Sequence, residues 1–304
     1  MMGSASFPGL ETGSASNVGR KRADEANQDA ILLIPPEAGR PPLFIVADGM
    51  GGYAGGSVAS NIVVEAFAAR YREEQHIEDL PALLRDCLER AWHALEDHAV
   101  EHPDLVTMGS TAVLAVLEAG QVTVANIGDS RAYLIHALQS PASTKPAASR
   151  SFLSRIFARK HSPGDQTGEE AAGSACELQQ ISYDHSEVAA MVRAGALTPL
   201  EALQSPLKNR LTQSLSPRRK DIDPYIGQVA FGAEDVLLLC TDGLWGVVPE
   251  ATFTAIAFEL PPQEAADKLV RQAIDYGGPD NISIILVHQH KDLRVDGNEA
   301  SSSK

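Results

Sequence analysis

The order of apolar segments in this 304-residue sequence predicts an α+β fold built on antiparallel sheets. Short apolar strands follow one another between residues 112 and 135, and tight turns at 118–120 and 128–130 separate them. Two helical patterns, at 57–71 and 80–100, come before these strands, and a further group of strands and helices follows them. Strands, then helices, then strands again are typical of the α+β class.

Composition and charge limit the class of protein further. Apolar residues make up 44% of the chain, which is enough to bury the core of one large domain or two small ones. The formal net charge of −15 argues against a nucleic-acid-binding protein, because phosphate contacts require a basic face. Three widely spaced cysteines indicate a reducing compartment, and no apolar run resembles a signal peptide or a membrane span. We therefore expect a cytoplasmic protein.

The N-terminal half contains an arm, a hairpin and two helices. Residues 1–16 are small and polar, which predicts a flexible arm with a first strand beginning after it. An apolar strand at 30–34 and a second at 43–46 flank a proline-rich loop, so the two are expected to form a hairpin. The helices at 57–71 and 80–100 each carry an apolar face and are expected to cover a sheet.

Residues 137–175 form an inserted segment of low complexity. Serine, proline, alanine, threonine and glycine dominate it, so it cannot bury much apolar surface. Within it, residues 150–160 place apolar side chains among arginines and a lysine, as in a basic amphipathic helix that contacts a partner or a membrane. A mobile linker is an equally weighted interpretation, because so short a helix is marginal in water. The polar residues 289–304 predict a disordered tail.

The C-terminal half resumes the sheet at 178–183. Two short helices follow, at 186–193 and from Thr198–Pro199 onward, and then a basic, turn-rich surface at 206–221. Strands are expected at 227–231, 236–240 and 282–287, with an amphipathic helix at 261–276 between the last two.

Aspartates recur at the ends of these predicted strands. Asp48, Asp129 and Asp242 lie at glycine turns that follow or join strands, Asp280 precedes the last strand, and Asp29 lies beside another. One Asp-Gly pair after a strand is most often an ordinary turn. Several carboxylates without matching basic partners are better explained by divalent cations, and oxygen-only ligands favour Mg²⁺ or Mn²⁺ over zinc. Two such ions can turn a bridging water into hydroxide and clamp a phosphoryl group, which allows hydrolysis without a protein nucleophile.

A series of motifs then carries a family resemblance. GRKR, NQDA, FIVADGMGG, MGSTAVLAV, NIGDSRAYLI, DHS, RLTQSL, LLCTDGLW and GGPDNISIILV occur in this order. The chain resembles the metal-dependent type 2C serine/threonine protein phosphatases (PPM family) in their bacterial form, over residues 17–288 apart from the insertion. The resemblance implies a four-layer αββα sandwich, with two central antiparallel sheets and helices outside, and a flap-like helical segment at 183–222. It also implies hydrolysis of phosphoserine and phosphothreonine by a hydroxide activated at two Mn²⁺ or Mg²⁺ ions.

The resemblance assigns roles to individual carboxylates. Asp48 matches the aspartate that bridges both metals, and Gly49 matches a residue that supplies its backbone carbonyl. Asp242 and Asp280 match the other carboxylates on the first metal, so these two and Asp48 are the expected catalytic residues. Asp129 matches a ligand of a weaker third metal site, which it shares with Asp242.

Three positions depart from the usual pattern. Arg22 is the candidate for gripping the substrate phosphate, but four residues separate it from the NQD motif, so either the loop bulges or Arg20 takes this role. Gln28 occupies the place of a glutamate near the second metal, beside Asp29, and both are counted among the metal-binding residues. Met50 occupies the place of a histidine in eukaryotic members, which indicates the bacterial branch.

Partners follow from the same resemblance. Phosphoproteins are the expected substrates, including a serine/threonine kinase or its targets, and the chain is expected to be a monomer. The alternative is a non-catalytic pseudophosphatase that binds a phosphoprotein or kinase. Gln28 favours that alternative, whereas the presence of Asp48, Asp242 and Asp280 argues against it.

Overall fold

Two antiparallel sheets face each other in the computed structural model, which describes residues 6–37, 39–138 and 176–289. The first sheet contains, in spatial order, β1 (Ser6–Phe7), β2 (Leu10–Asn17), β12 (Ile282–Gln289), β11 (Val236–Cys240), β8 (Arg131–Ala137) and β9 (Cys176–Gln180). The second contains β10 (Tyr225–Ala230), β7 (Gln121–Ile127), β6 (Ala112–Glu118), β4 (Leu43–Met50) and β3 (Asp29–Ile34), and the short β5 (Gly109–Ser110) pairs with the end of β4. Every strand pair described is antiparallel, as the short connections predict.

Helices cover the outer face of each sheet. The second sheet is covered by α1 (Gly52–Glu73) and α2 (Leu80–Glu101), and the first by α5 (Asp242–Trp245), α6 (Glu250–Glu259) and α7 (Pro262–Asp275). Between β9 and β10 lie the short helices α3 (Glu187–Arg193) and α4 (Pro199–Gln204). The predicted αββα sandwich is therefore confirmed.

Both faces of the central strands are buried, which explains their continuous apolar sequences. In β4, Leu43 and Ile45 pack under the helices, whereas Phe44 and Val46 point into the core between the sheets. Because successive side chains alternate between the two faces of a strand, both faces must be apolar when both are covered. The same alternation holds in β12, where Ile284 faces the helices and its neighbour faces the other sheet.

The prediction of a flexible arm at residues 1–16 is wrong for the residues that the structure describes. All eight residues of β2 pair with β12, from Leu10 opposite Gln289 to Asn17 opposite Ile282. A Cβ atom on Gly13 would collide with the backbone of Pro262 in α7, so the small residues allow a helix to approach closely. Small side chains here reflect tight packing instead of disorder.

Other boundaries differ less. The first helix begins at Gly52, earlier than position 57, and the sequence pattern does not predict α5 or α6. The strand β12 extends to Gln289, inside the predicted tail. The basic segment 150–160, most of the insertion and residues 290–304 lie outside the described residues. No helix in the described ranges is long and apolar enough to cross a membrane.

Candidate active site

The ends of four strands bring the predicted aspartates together between the two sheets. Asp29 in β3 lies directly opposite Asp48 in the register of β4. Asp242 follows β11, and Asp280 lies just before β12. The two sheets are linked at this point, because the hydroxyl of Thr241 donates a 3.0 Å hydrogen bond to Oδ2 of Asp29.

These strand ends surround a cavity of about 470 Å³. Most of the predicted site residues line it, and they are Arg22, Gln28, Asp48, Gly49, Asp129, Asp242 and Asp280. Glu25, Met50, Gly51, Gly52, Thr111, Asn209 and Leu211 complete the wall. Asp29 is buried behind this wall and does not line the cavity itself. The structure thus gathers carboxylates that are far apart in sequence.

Burial and mutual repulsion disfavour the charged form of these carboxyl groups. Burial raises the pKa of Asp29 to about 7, that of Asp129 to about 8 and that of Asp242 to about 6. The pKa of Asp48 is also raised well above its ordinary value, by burial first and then by the charges of Asp29 and Asp242. Neighbouring carboxylates add to the rise at each position. Without a compensating cation, this arrangement of carboxylates is electrostatically unfavourable.

Two buried carboxylate oxygens in this region lack a hydrogen-bond partner among the described residues, and they are Oδ1 of Asp29 and Oδ1 of Asp242. Unpartnered buried carboxylate oxygens are costly, and hard divalent cations satisfy them. The same part of the chain contains no preformed cluster of three or more side-chain ligands, so the carboxylates line an open cavity instead of forming a closed cage. The donor set, which is all oxygen, fits Mn²⁺ or Mg²⁺.

Glycines allow neutral oxygen atoms to approach the same region. A Cβ atom on Gly49 would collide with the carbonyl oxygen of Gly56 in α1, so only glycine fits. A Cβ atom on Gly56 would in turn collide with Oε1 of Gln28 and lie 2.8 Å from the carbonyl oxygen of Gly49. Oε1 of Gln28 and the carbonyl oxygen of Gly49 therefore both lie close to Gly56 in α1. The roles of Gln28 and Gly49 as neutral metal donors stay predictions.

The loop before β3 bulges and leaves Arg22 at the cavity. Nη2 of Arg22 lies 3.0 Å from Oδ2 of Asp280, and both side chains are partly exposed. The NH group of Glu25 donates to the carbonyl of Arg22, which closes a turn within the extra residues. The backbone NH of Arg20 donates to the carbonyl of Gly278, and Arg20 does not line the cavity. The geometry therefore favours Arg22 over Arg20.

A buried ion pair supports the wall that carries Asp129. The guanidinium of Arg131 donates to both carboxylate oxygens of Asp184, with Nη2 2.7 Å from Oδ2. It also stacks over the ring of Trp245, 3.6 Å from the centroid. Trp245 in turn donates from Nε1 to the carbonyl of Asp129 at 3.1 Å. The link between Trp245 and Asp129 is visible in the structure alone.

His185 stabilises a turn and does not line the cavity. Its backbone NH donates to the carbonyl of Gly128, and its Nδ1 accepts from the NH of Gly128. Burial lowers the pKa of His185, which keeps the ring neutral and Nδ1 free to accept. Because Gly128 has a positive φ of 101°, this double contact fixes the turn that presents Asp129. His185 is therefore a structural residue of the loop beside the site.

Supporting polar residues were only partly visible in the sequence. Thr111 accepts from the NH of Asp48 at 3.0 Å and contacts Ser130 at 2.7 Å, so its hydroxyl helps to position Asp48. Asn281 accepts from the NH of Gln28 at 2.8 Å, which joins the two sheets again. The only sequence signal for Thr241 and Asn281 is that each lies next to a site aspartate.

Comparisons with known proteins agree with this geometry. The family model described as Protein phosphatase 2C matches residues 18–274. The serine/threonine phosphatase stp of Listeria monocytogenes is 32% identical over 265 residues, which cover 86% of this chain and 88% of that protein. The protein phosphatase PhpP of Streptococcus pneumoniae is 30% identical over 291 residues, which cover 93% of this chain and 99% of that protein.

Solved structures of bacterial phosphatases share the fold. The serine/threonine phosphatase Stp1 of Staphylococcus aureus superposes with a TM-score of 0.73 at 27% identity, covering 95% of this chain and 99% of that one. The catalytic domain of the phosphatase PstP in complex with two manganese ions gives a TM-score of 0.69 at 27% identity, covering 92% and 98%.

An αββα sandwich with carboxylates converging between its sheets defines the class of metal-dependent phosphatases. The chain belongs to the protein phosphatase 2C family. It is a serine/threonine protein phosphatase, and its named relatives are bacterial.

Proposed function

We propose that this cavity removes phosphate from phosphoserine and phosphothreonine in proteins with the help of two Mn²⁺ or Mg²⁺ ions. The observation that carries the proposal is the convergence of buried carboxylates whose oxygen atoms at Asp29 and Asp242 lack any partner among the described residues. The complex of PstP with two manganese ions supports this choice of metal.

Asp48, Asp242 and Asp280 would hold the ions, with the carbonyl of Gly49 and the amide oxygen of Gln28 as neutral donors. Asp129 would bind a weaker third ion together with Asp242, and Asp29 would support the others from behind the wall. Bound divalent ions neutralise the phosphoryl oxygens and make water a stronger nucleophile.

Arg22 binds the substrate phosphate in this proposal. Its guanidinium is at the cavity, is partly exposed and carries donors in a fork that matches phosphate oxygens. Asp280 holds this fork in place at 3.0 Å, so the arginine is oriented before substrate arrives. The open cavity admits a side chain carried on a peptide, and the surrounding carboxylates repel anions that are not accompanied by cations.

Phosphate release from a phosphothreonine peptide, measured against Mn²⁺ concentration, tests the proposal. Asp48→Asn should lower kcat at least about a thousandfold, since a central charge of the electrostatic site is lost. Asp97→Asn on the exposed face of α2 is the matched control and should retain full activity. Activity of Asp48→Asn close to that of the unmodified protein would refute the mechanism. Thermal stabilisation by Mn²⁺ without turnover would favour the pseudophosphatase alternative.

We also infer that the substrates include a serine/threonine kinase or proteins that it phosphorylates, and that the chain works as a cytoplasmic monomer. Three free, buried cysteines support a reducing compartment. The proposed contact of the 150–160 segment with a partner or membrane concerns residues outside the described ranges, and a truncation of 139–175 compared in sedimentation and vesicle binding tests it.

A further inference from the structure

A basic segment lies against the acidic cavity. Residues 205–220 contain five basic residues and no acidic one, in a chain whose net charge is −15. We name this group, Lys208, Arg210, Arg218, Arg219 and Lys220, the basic rim. Five positive charges within one short segment are unfavourable by themselves, because like charges repel each other.

The basic rim is anchored to the cavity wall at its centre. Asn209 and Leu211 line the cavity, so Lys208 and Arg210 flank wall residues directly. Nη2 of Arg219 donates to the carbonyl of Leu211 at 3.3 Å, which folds the far end of the segment back onto the wall.

A second anchor fixes the segment to the strand beside the site. Leu215 and Ser110 exchange backbone hydrogen bonds of 2.8 and 2.9 Å, and Ser110 precedes the wall residue Thr111. The hydroxyl of Ser216 donates to the carbonyl of Met108 at 2.9 Å. The rim is therefore held at a fixed position relative to the cavity, which a specificity element requires.

Three of the rim's charges have no partner within the part of the protein that the structure describes. Arg210 forms an ion pair with Glu187 at 3.4 Å, and the guanidinium of Arg219 donates to the carbonyl of Leu211. The side chains of Lys208, Arg218 and Lys220 are exposed, and no hydrogen bond or ion pair joins them to another described residue.

We infer that the basic rim binds an anionic side chain of the substrate protein close to the phosphorylated residue. This inference rests on the proposed function and names a substrate class for the same site: phosphoserine and phosphothreonine flanked by carboxylate or by a second phosphate. The rim adds positive charge at the mouth of the cavity, outside the group of carboxylates that would hold the ions. Free cationic side chains there suit electrostatic recognition of flanking residues, which sets specificity more than affinity.

Three phosphothreonine peptides of equal length test the inference. One has neutral flanks, one has glutamates at the flanking positions, and one has a non-hydrolysable phosphonate in place of a second phosphate. The glutamate and phosphonate peptides distinguish the two sources of negative charge. The unmodified protein with Mn²⁺ should show a kcat/KM at least about fivefold higher on an anionic peptide than on the neutral one, mainly through KM, and raised salt should reduce this preference.

The triple variant Lys208→Gln, Arg218→Gln, Lys220→Gln should lose this preference and keep its rate on the neutral peptide and on p-nitrophenyl phosphate. Arg210 and Arg219 are left in place because they already have partners, in Glu187 and in the carbonyl of Leu211. The matched control, Arg85→Gln, Lys268→Gln, Arg271→Gln, removes the same charge from exposed positions on α2 and α7 and should keep the preference.

Equal kcat/KM for all three peptides, or a preference that survives in the rim variant, would overturn the inference while leaving the phosphatase assignment intact. Absence of turnover on every peptide would instead refute the proposed function. In that case fluorescence anisotropy of the labelled peptides still decides the inference: tighter binding of an anionic peptide, lost in the rim variant alone, would support it, and equal binding would refute it.

Discussion

The ion pair between Arg131 and Asp184 should be one of the most sensitive points of the fold. Both side chains are largely buried, with relative exposures of 16% and 6%. Asp184 accepts three hydrogen bonds from Arg131 and one from Gln180. Asp184→Asn keeps the shape of the side chain but removes its negative charge. Breaking a buried pair from one side leaves the other charge uncompensated, so we expect the free energy of unfolding to fall by about 3–5 kcal/mol.

A surface ion pair in the same molecule is the control. Glu73 accepts two hydrogen bonds from Arg90, but both side chains are about half exposed, at 51% and 50%. Glu73→Gln should therefore cost less than about 1 kcal/mol, because water screens the pair and replaces the lost bonds. The two variants differ mainly in how deeply the ion pair is buried, because both pairs join a carboxylate to two or more guanidinium donors.

Urea unfolding followed by tryptophan fluorescence, with excess Mn²⁺ throughout, measures both changes. The pair Arg131→Met with Asp184→Leu should cost less than the sum of its single changes, because no unpaired charge remains. A loss below about 1 kcal/mol for Asp184→Asn, equal to that of Glu73→Gln, would refute the view that burial makes this pair sensitive.

Three further predictions concern the site. Burial raises the pKa values of Asp29 to about 7 and of Asp129 to about 8, so the folded protein holds protons that the unfolded chain releases. With metal chelated, thermal stability should therefore fall as pH rises from 6 to 8. Added Mn²⁺ should stabilise the protein more at pH 8 than at pH 6. A chelated protein whose melting temperature rises over this window would contradict the sign. Gly49→Ala should lower the free energy of unfolding by about 1–3 kcal/mol and remove the stabilisation by Mn²⁺, because its Cβ would collide with backbone atoms. Gly55→Ala should be tolerated, because its Cβ would have no contact under 3.4 Å. Thermal melts with and without Mn²⁺ compare the two variants. Trp245→Phe keeps a ring near Arg131 but loses the bond to Asp129, so urea unfolding should show a loss of about 0.5–1.5 kcal/mol, and no loss would show that this bond contributes nothing.

Strand positions were predictable because the central strands are buried on both sides. Continuous apolar runs such as Leu43–Val46 cannot be satisfied at a surface, and the glycine turns after them mark where each strand ends. The weakly patterned β2 was not predictable, since its small residues are accounted for only by the close approach of α7 at Gly13. Similarly, α6 carries apolar residues with little helical periodicity, so its sequence does not distinguish a helix from a strand.

The candidate site likewise contains some features that the sequence predicts and others that only the structure shows. The motifs of the sequence by themselves determined the family and, through that resemblance, the sandwich and the aspartates that line the cavity. Several carboxylates at strand ends are explained by divalent cations that neutralise them. Only the tertiary structure decided that Arg22 and not Arg20 lies at the cavity, and that Arg131 pairs with Asp184 across 53 positions of the chain. It alone placed the basic rim beside the cavity wall. Contacts between distant segments depend on how the sheets and loops pack, and a local sequence pattern does not specify which distant side chains meet.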